Sequence, residues 1–483
     1  MKFFRPILFV QAFVLMLSAS LMLVSAGLAS WHAEVELIDF MTAALVTFVA
    51  ALPAFFYGFR GSFSLTTKQL FLVTPLSWVV MCIAGALPLH LALPDMSFTD
   101  AMFESVSGLT TTGSTVLTGL DHMSRSVLLW RALLQWVGGI GIVVLGIAIL
   151  PFLQIGGMRL FRTESSDWSD KTMPRSHVLI RTIGVVYVGL TIAAFLAYLL
   201  TGMSAFDAVT HAMSSVSTGG YSNYDASMGH FNDTPSVLWV SSVFMVLSSL
   251  PFLLYTRAMR GDWGALLNDQ QVRGFLKFLL LVIIVLSLER DIVEHESWFE
   301  AVTQSTFNII SVVTTTGYAS EDYTLWSGFA ATLFFYLTFV GGCSGSTTGA
   351  MKIFRFQIAM VVLRHQLRWM RHPHGVFATH YNRKVVPDEV VRSVVAFSFY
   401  FFATVAVIAL GLSLLGYDLL TSLSGAATAV ANVGPGLGDI IGPAGNFSTL
   451  NDPAKWLLIA GMLLGRLEIL TVLIVFTPMF WQR

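Results

Sequence analysis

Four short segments carry the residues of this chain whose types and spacing could do chemistry. Two are near copies: Phe103-Glu-Ser-Val-Ser-Gly-Leu-Thr-Thr-Thr-Gly113 and Phe307-Asn-Ile-Ile-Ser-Val-Val-Thr-Thr-Thr-Gly317 each place Thr-Thr-Thr-Gly so that the glycine falls ten positions after a phenylalanine. Met213-Ser-Ser-Val-Ser-Thr-Gly-Gly220 and Ala429-Val-Ala-Asn-Val-Gly434-Pro-Gly are looser versions. Hydroxyls and main-chain carbonyls offer only hard oxygen ligands, which suit alkali or alkaline-earth cations rather than zinc or copper. Glycine admits backbone conformations that a Cβ forbids, so a carbonyl can be turned toward a guest. Converging carbonyls can then replace an ion's hydration shell. The candidate ligands are Thr111, Thr112 and Gly113; Thr218, Gly219 and Gly220; Thr315, Thr316 and Gly317; and Asn432, Val433 and Gly434. For one segment alone an ordinary polar loop explains the pattern about as well.

The surrounding elements decide between these readings. The chain is 55% hydrophobic, 13% aromatic and 11% charged, with mean hydropathy +0.73. Soluble domains carry roughly 25% charged residues, so this composition implies a polytopic membrane protein. A net charge of −1 gives no case for nucleic acid, and two cysteines, Cys82 and Cys343, indicate no disulfide framework. Ten stretches approach the ~20 apolar residues of a spanning helix: 7–29, 38–58, 69–92, 126–152, 177–201, 235–256, 274–289, 327–350, 391–414 and 455–479. The first is too long for a signal h-region and is expected to be a retained anchor. The four motifs fall between spans three and four, five and six, seven and eight, and nine and ten.

Lys2, Arg5, Arg60, Lys68, Arg159, Arg162, Lys171, Arg175, Arg257, Arg260, Arg273 and the run from Lys352 to Lys384 alternate consistently with the spans. By the positive-inside rule both termini are cytoplasmic and all four motifs enter from outside. Bare backbone is tolerated at membrane depth only where it is packed in protein or lines water, which favours a pore. The expected fold is an all-α polytopic membrane protein: an N-terminal helix pair (1–66) and four helix–pore-loop–helix repeats in pseudo-fourfold arrangement (67–158, 175–262, 272–355 and 389–483), with a basic cytoplasmic loop at 356–388. Asp100 and Asp207 are read as completing pore-helix N-termini, and Gly138, Gly139 and Gly141 as packing glycines.

Two further features lie below the motifs. Phe339-Val-Gly-Gly-Cys-Ser-Gly-Ser-Thr-Thr-Gly349 interrupts the eighth span, and its glycines will not hold a regular helix. Gly341, Gly342, Cys343, Ser344, Gly345, Ser346, Thr347, Thr348 and Gly349 are therefore the candidate gate; close helix packing through small residues is the alternative. Arg466 stands in the last span. A charge at that depth is a functional candidate, here a barrier to cations, unless a carboxylate on another helix pairs with it.

These motifs resemble those of the TrkH-type subunits of the Trk/Ktr/HKT superfamily of potassium transporters, over essentially the whole chain. The resemblance implies that Gly113, Gly220, Gly317 and Gly434 are filter glycines binding K⁺, the transported ion. It implies that 341–349 is an intramembrane gate and that Arg466 sits on the pore axis. It also implies a homodimer with one pore per protomer, in a bacterial inner membrane. The expected partner is a cytosolic RCK-type, TrkA-like subunit that binds NAD(H) or ATP/ADP, with the segment from Arg364 to Lys384 as its docking candidate. Nucleotide enters only through that partner.

Two other readings bear weighing. A symporter coupling K⁺ to H⁺ or Na⁺ would keep the fold; the candidate titratable residues are Glu104 and Glu468. An intramembrane aspartyl protease would use Asp418 and Asp439 in Tyr-Asp and Gly-x-Gly-Asp contexts, but 439 − 418 puts them only 21 positions apart, where two antiparallel spans need about 40. No other catalytic set is apparent, so a non-enzyme is expected.

Overall fold

The computed structural model describes residues 3–59, 65–145, 175–293, 295–375, 379–382 and 384–482. The expected inner end of span four at 146–152 and the orientation residues Lys2, Arg60, Arg159, Arg162, Lys171 and Arg383 lie outside the described residues. Among the described residues, seven helices are long and apolar enough to span a membrane: Arg5–His32, Leu37–Gly58, Thr67–Ala92, Arg125–Val144, Leu179–Leu200, Gln270–Val293 and Asp388–Leu414. The protein is a multi-pass membrane protein.

Three of the expected spans are broken. The sixth is Pro235–Ser248 and Phe252–Ala258, bent by 91°. Pro251 lies in the break, and it disfavours helix in the residue before it and cannot donate its nitrogen. The tenth is Asp452–Arg466 and Ile469–Phe476, bent by 105°; there Glu468 adopts φ +59°. The eighth is Gly328–Leu337, then irregular backbone, then Ile353–Arg371. A two-residue parallel pair, Val340–Gly341 with Met351–Lys352, closes the base of that irregular segment.

The segment expected as a basic loop begins as the helix Ile353–Arg371 and continues into a small hairpin pairing His380–Tyr381 with Lys384–Val385. Its charge density masked apolar residues spaced four and three apart, Phe356, Met360, Leu363, Leu367 and Met370, which is a helical period.

Each repeat carries a re-entrant pore helix: Phe98–Leu109, Ala205–Ser217, Trp298–Val313 and Leu419–Ala431. All four start alike. Ser97, Ser204, Ser297 and Asp418 accept from backbone amides of the first turn, and such caps contribute about 1 kcal/mol each. The serines thus cap the first three helices; Asp100 and Asp207, read as completing those termini, stand at the third helical position and accept from the capping hydroxyls at 2.8 and 2.6 Å. Hydrogen bonds from Thr421 and from the backbone amides of Thr421 and Leu420 hold the Asp418 carboxyl below its ordinary pKa.

Outer spans press on the inner ends of the pore helices through glycine. A Cβ at Gly138 would lie 1.8 Å from the carbonyl oxygen of Leu109, and one at Gly465 would lie 1.9 Å from that of Val430. Gly139 is equally confined against Ser217 and the Tyr187 hydroxyl at 2.7 Å, whereas Gly141 meets only Trp78 at an ordinary 3.7 Å.

Candidate ion pathway

The pore helices end identically. Two residues before each motif glycine, Thr111, Thr218, Thr315 and Asn432 take left-handed φ of +51°, +53°, +56° and +56°. The next residue donates its amide back to the carbonyl five positions earlier: Thr112 to Ser107 at 2.8 Å, Gly219 to Ser214 at 2.9 Å, Thr316 to Ser311 at 2.8 Å and Val433 to Thr428 at 3.1 Å. This is a Schellman closure, with threonine or asparagine where glycine is usual. Gly113, Gly220, Gly317 and Gly434 then take φ of +88°, +81°, +80° and +115°. The alternation of backbone hand turns the loop away from the helix axis.

The four loops close on one another in chain order. A Cβ at Gly113 would lie 2.3 Å from the carbonyl oxygen of Gly219, at Gly220 1.9 Å from that of Thr316, and at Gly317 1.8 Å from that of Val433; at Gly434 it would lie 2.8 Å from that of Thr112. Each glycine therefore receives the carbonyl preceding the next glycine, and the fourth loop returns to the first. Ser114 Oγ donates to the Gly434 carbonyl at 2.7 Å and Asn432 Nδ2 to Thr112 Oγ1 at 3.0 Å, sealing the same junction. An outer vestibule of about 520 Å³ is lined by all four glycines, together with Tyr224, Asp225 and Asp439. Asp418 caps a helix and Asp439 lines this mouth, so the two aspartates of the protease reading serve separate structures.

The interrupted segment of span eight packs directly beneath the ring. All nine residues Gly341–Gly349 are buried. Gly349 N donates to Thr315 Oγ1 at 2.7 Å, Ala350 N to the Ala431 carbonyl at 2.8 Å, and Thr218 Oγ1 to Thr347 Oγ1 at 3.1 Å. The segment thus touches the second, third and fourth loops. Its outer side is stitched to the bend of span six, with Cys343 N donating to Ser249 O at 2.9 Å and Phe252 N to Gly345 O at 3.0 Å. Lys352, the first residue of the basic run used to orient the spans, reaches back to the carbonyl and hydroxyl of Thr348. The glycines permit close backbone approach: a Cβ at Gly341 would lie 2.4 Å from the Gly349 carbonyl, and one at Gly349 2.5 Å from that of Ala431.

A family profile described as TrkH, cation transport protein, matches residues 39–483. The chain belongs to the TrkH family. It is 54% identical over 478 residues to the Trk system potassium uptake protein TrkI of Halomonas elongata, covering 99% of this chain and 97% of that protein. It is 36% identical to the Trk system potassium uptake protein TrkH of Vibrio parahaemolyticus, covering 99% of each. The crystal structure of the potassium transporter TrkH from Vibrio parahaemolyticus superposes with a TM-score of 0.91 over 99% of this chain and 100% of that one, at 34% identity.

Arg466 is 3% exposed, and among the described residues none of its three guanidinium nitrogens has a hydrogen-bond partner. The carboxylate partner weighed for it is absent among those residues. Glu468, turned aside by the break, pairs with Arg355 at 2.8 Å, and Arg355 also lies 3.4 Å over the Phe397 ring.

Sequence reasoning missed how the ring is braced from behind, naming Glu104 only as a titratable candidate. Nine positions before the glycine stand Glu104, His211 and Asn308, and each holds a hydroxyl two or three residues past that glycine. Glu104 accepts from Thr115 Oγ1 at 3.0 Å, His211 Nε2 meets Ser222 Oγ at 3.1 Å, and Asn308 Nδ2 donates to Ser320 Oγ at 2.7 Å. In the fourth repeat this position is Gly425, and Thr428 Oγ1 instead accepts from Gly434 N at 2.9 Å. The constant offset was a signal available in the sequence.

The fully buried Glu104 also pairs with buried Arg131 at 2.8 Å, and Arg131 donates to the Ser222 carbonyl at 3.0 Å and lies 4.0 Å over the Tyr221 ring. Breaking such a pair from one side costs about 3–5 kcal/mol, whereas replacing both partners is often nearly neutral. Glu104→Gln and Arg131→Met are accordingly expected each to lower the thermal unfolding temperature of the purified protein sharply. The double variant should recover most of that loss; additive losses would refute the pairing as the cause.

Proposed function

We propose that this chain takes up potassium across the bacterial inner membrane through the four-loop ring, by gated electrodiffusion. The single observation that carries this reading is the head-to-tail closure of Gly113, Gly220, Gly317 and Gly434 on the carbonyls of Gly219, Thr316, Val433 and Thr112. A closed set of carbonyls at the base of an open vestibule is built to exchange water for oxygen ligands around a bare cation. The pore helices add to this, because their C-termini end at the ring and a helix C-terminus carries partial negative charge. The potassium uptake named for the relatives supports K⁺ as that cation.

Gly341–Gly349 is the gate in this reading, since it packs under the ring and is hydrogen-bonded to its second, third and fourth loops and to the bend of span six. Arg466 is the electrostatic barrier. The exposed basic residues Arg364, Arg368 and Arg371 on the helix Ile353–Arg371 are the proposed docking surface for a cytosolic RCK-type subunit binding NAD(H) or ATP/ADP. The working unit is a homodimer with a pore in each protomer and both termini cytoplasmic. Coupled symport is less well supported: Glu104 and Glu468, its candidate proton carriers, are each held in an ion pair.

The test is ⁸⁶Rb⁺ uptake into proteoliposomes with unlabelled K⁺, Na⁺ or Li⁺ as competitors. Uptake blocked far better by K⁺ than by Li⁺, and abolished by Gly317→Asp, is the expected result. Uptake indifferent to that substitution would place the pathway elsewhere. A reversal potential that follows pH or Na⁺ at fixed stoichiometry would decide for symport.

A further inference from the structure

The ring is not electrically fourfold. Of the four carbonyls that close it, those of Thr112, Thr316 and Val433 receive no side-chain hydrogen bond among the described residues, whereas that of Gly219 accepts one from Gln135 Nε2 at 2.6 Å. Gln135 is fully buried on the helix Arg125–Val144, one turn below Arg131. The orientation of its amide is forced by its neighbours. Tyr221 N, which can only donate, lies 3.1 Å from Oε1, and Ser214 Oγ lies 2.7 Å from the same atom. Oε1 must therefore face those donors, and Nε2 must face the Gly219 carbonyl.

The second loop is also the one with glycine immediately before its filter glycine, and the reason is visible. A Cβ at Gly219 would lie 2.4 to 2.8 Å from the terminal atoms of Gln135. Gly219 has no positive φ, so backbone freedom is not what requires a glycine there. The glutamine amide occupies the space that a side chain would need.

We propose that Gln135 is a specificity-determining residue, which favours K⁺ over Na⁺ by tethering the Gly219 carbonyl. Two effects act in the same direction. The amide N–H draws electron density from that oxygen, and a weaker ligand field favours the larger ion. The tether also fixes the oxygen's position, so it cannot follow a smaller ion inward. Among the described residues the Gly219 oxygen is the one of the four held by a side chain. Arg131, one turn above, holds the far side of the same loop through Ser222 and Tyr221. The inference rests on the filter reading given above and adds the residue that tunes it.

Two variants remove the tether from opposite sides. Gln135→Met keeps length and apolar volume but has no donor. Gly219→Ala leaves Gln135 in the chain and pushes its flexible end away with the new methyl group. The readout is the ratio of Na⁺ to K⁺ concentrations that halve ⁸⁶Rb⁺ uptake into proteoliposomes, which is independent of how much protein is incorporated. Each variant is expected to lower that ratio about three- to tenfold, the size of one neutral hydrogen bond. The double variant should lower it no further than either single one. Ser214→Ala, which removes only a donor to Oε1, should leave the ratio near its starting value.

An unchanged or raised ratio in either tether variant overturns the proposal, and Gly219→Ala decides alone should Gln135→Met fail to insert. If Gly317→Asp abolishes uptake while both tether variants retain the ratio, only this inference fails. If Gly317→Asp has no effect, the filter reading fails first.

Discussion

Gly220→Ala should abolish cation uptake, whereas Gly119→Ala should leave it close to the parent value. The two glycines have similar left-handed backbones, with φ of +81° and +73°, so each alanine incurs the same intrinsic strain of about 1–2 kcal/mol. What differs is the space. A Cβ at Gly119 meets nothing within 4 Å, while one at Gly220 lies 1.9 Å from the Thr316 carbonyl oxygen and 2.9 Å from its carbon. The colliding atoms are backbone of the neighbouring loop, so relief requires moving a second ligand as well as the first. A preorganised site displaced by 1 Å commonly loses about a hundredfold in rate, and that is the minimum loss expected for Gly220→Ala. Comparable uptake by the two variants in ⁸⁶Rb⁺ flux assays, at matched incorporation, would show that the ring is not the conducting path.

Arg466→Ala should raise uptake, roughly tenfold or more, because a unit charge several ångströms from a passing cation is worth on the order of 2 kcal/mol at an effective dielectric constant near 20. The guanidinium is buried without a hydrogen-bond partner among the described residues, and an unpaired charge at membrane depth is costly enough to need a function. Gly465 pins the adjacent backbone against Val430, which fixes the level at which the arginine projects. Arg466→Lys keeps the charge and should stay near the parent rate. If Arg466→Ala lowers protein yield and leaves flux per protein unchanged, the residue is structural.

Repetition made most of the fold legible. Four Gly-containing motifs, each set between two apolar runs, announce four re-entrant loops, and the register that aligns the motifs also aligns Ser97, Ser204 and Asp418 at the helix starts, whereas Ser297 begins a helix one turn longer. The break in span eight was readable because several glycines occur together. The breaks in spans six and ten were not. Each broken pair is apolar enough as a whole to pass for one span despite Pro251 in one break and Arg466 and Glu468 at the other, and hydropathy reports burial in lipid rather than the direction of the chain. The helix Ile353–Arg371 was hidden for the opposite reason: its arginines outweighed an apolar period that was present.

The sequence by itself determined the residue types that form the glycine ring, the number of loops that present them and the spans that carry them. These follow from local rules: apolar length, glycine conformation and helix capping. Only the tertiary structure decided that the loops close in chain order, that Glu104 is bound by Arg131, and that Gln135 holds one carbonyl of the four. Those contacts join residues dozens to hundreds of positions apart, as in Ser114 with Gly434. No local pattern encodes them, because they arise only when four similar helices are packed around a common axis and their small differences meet.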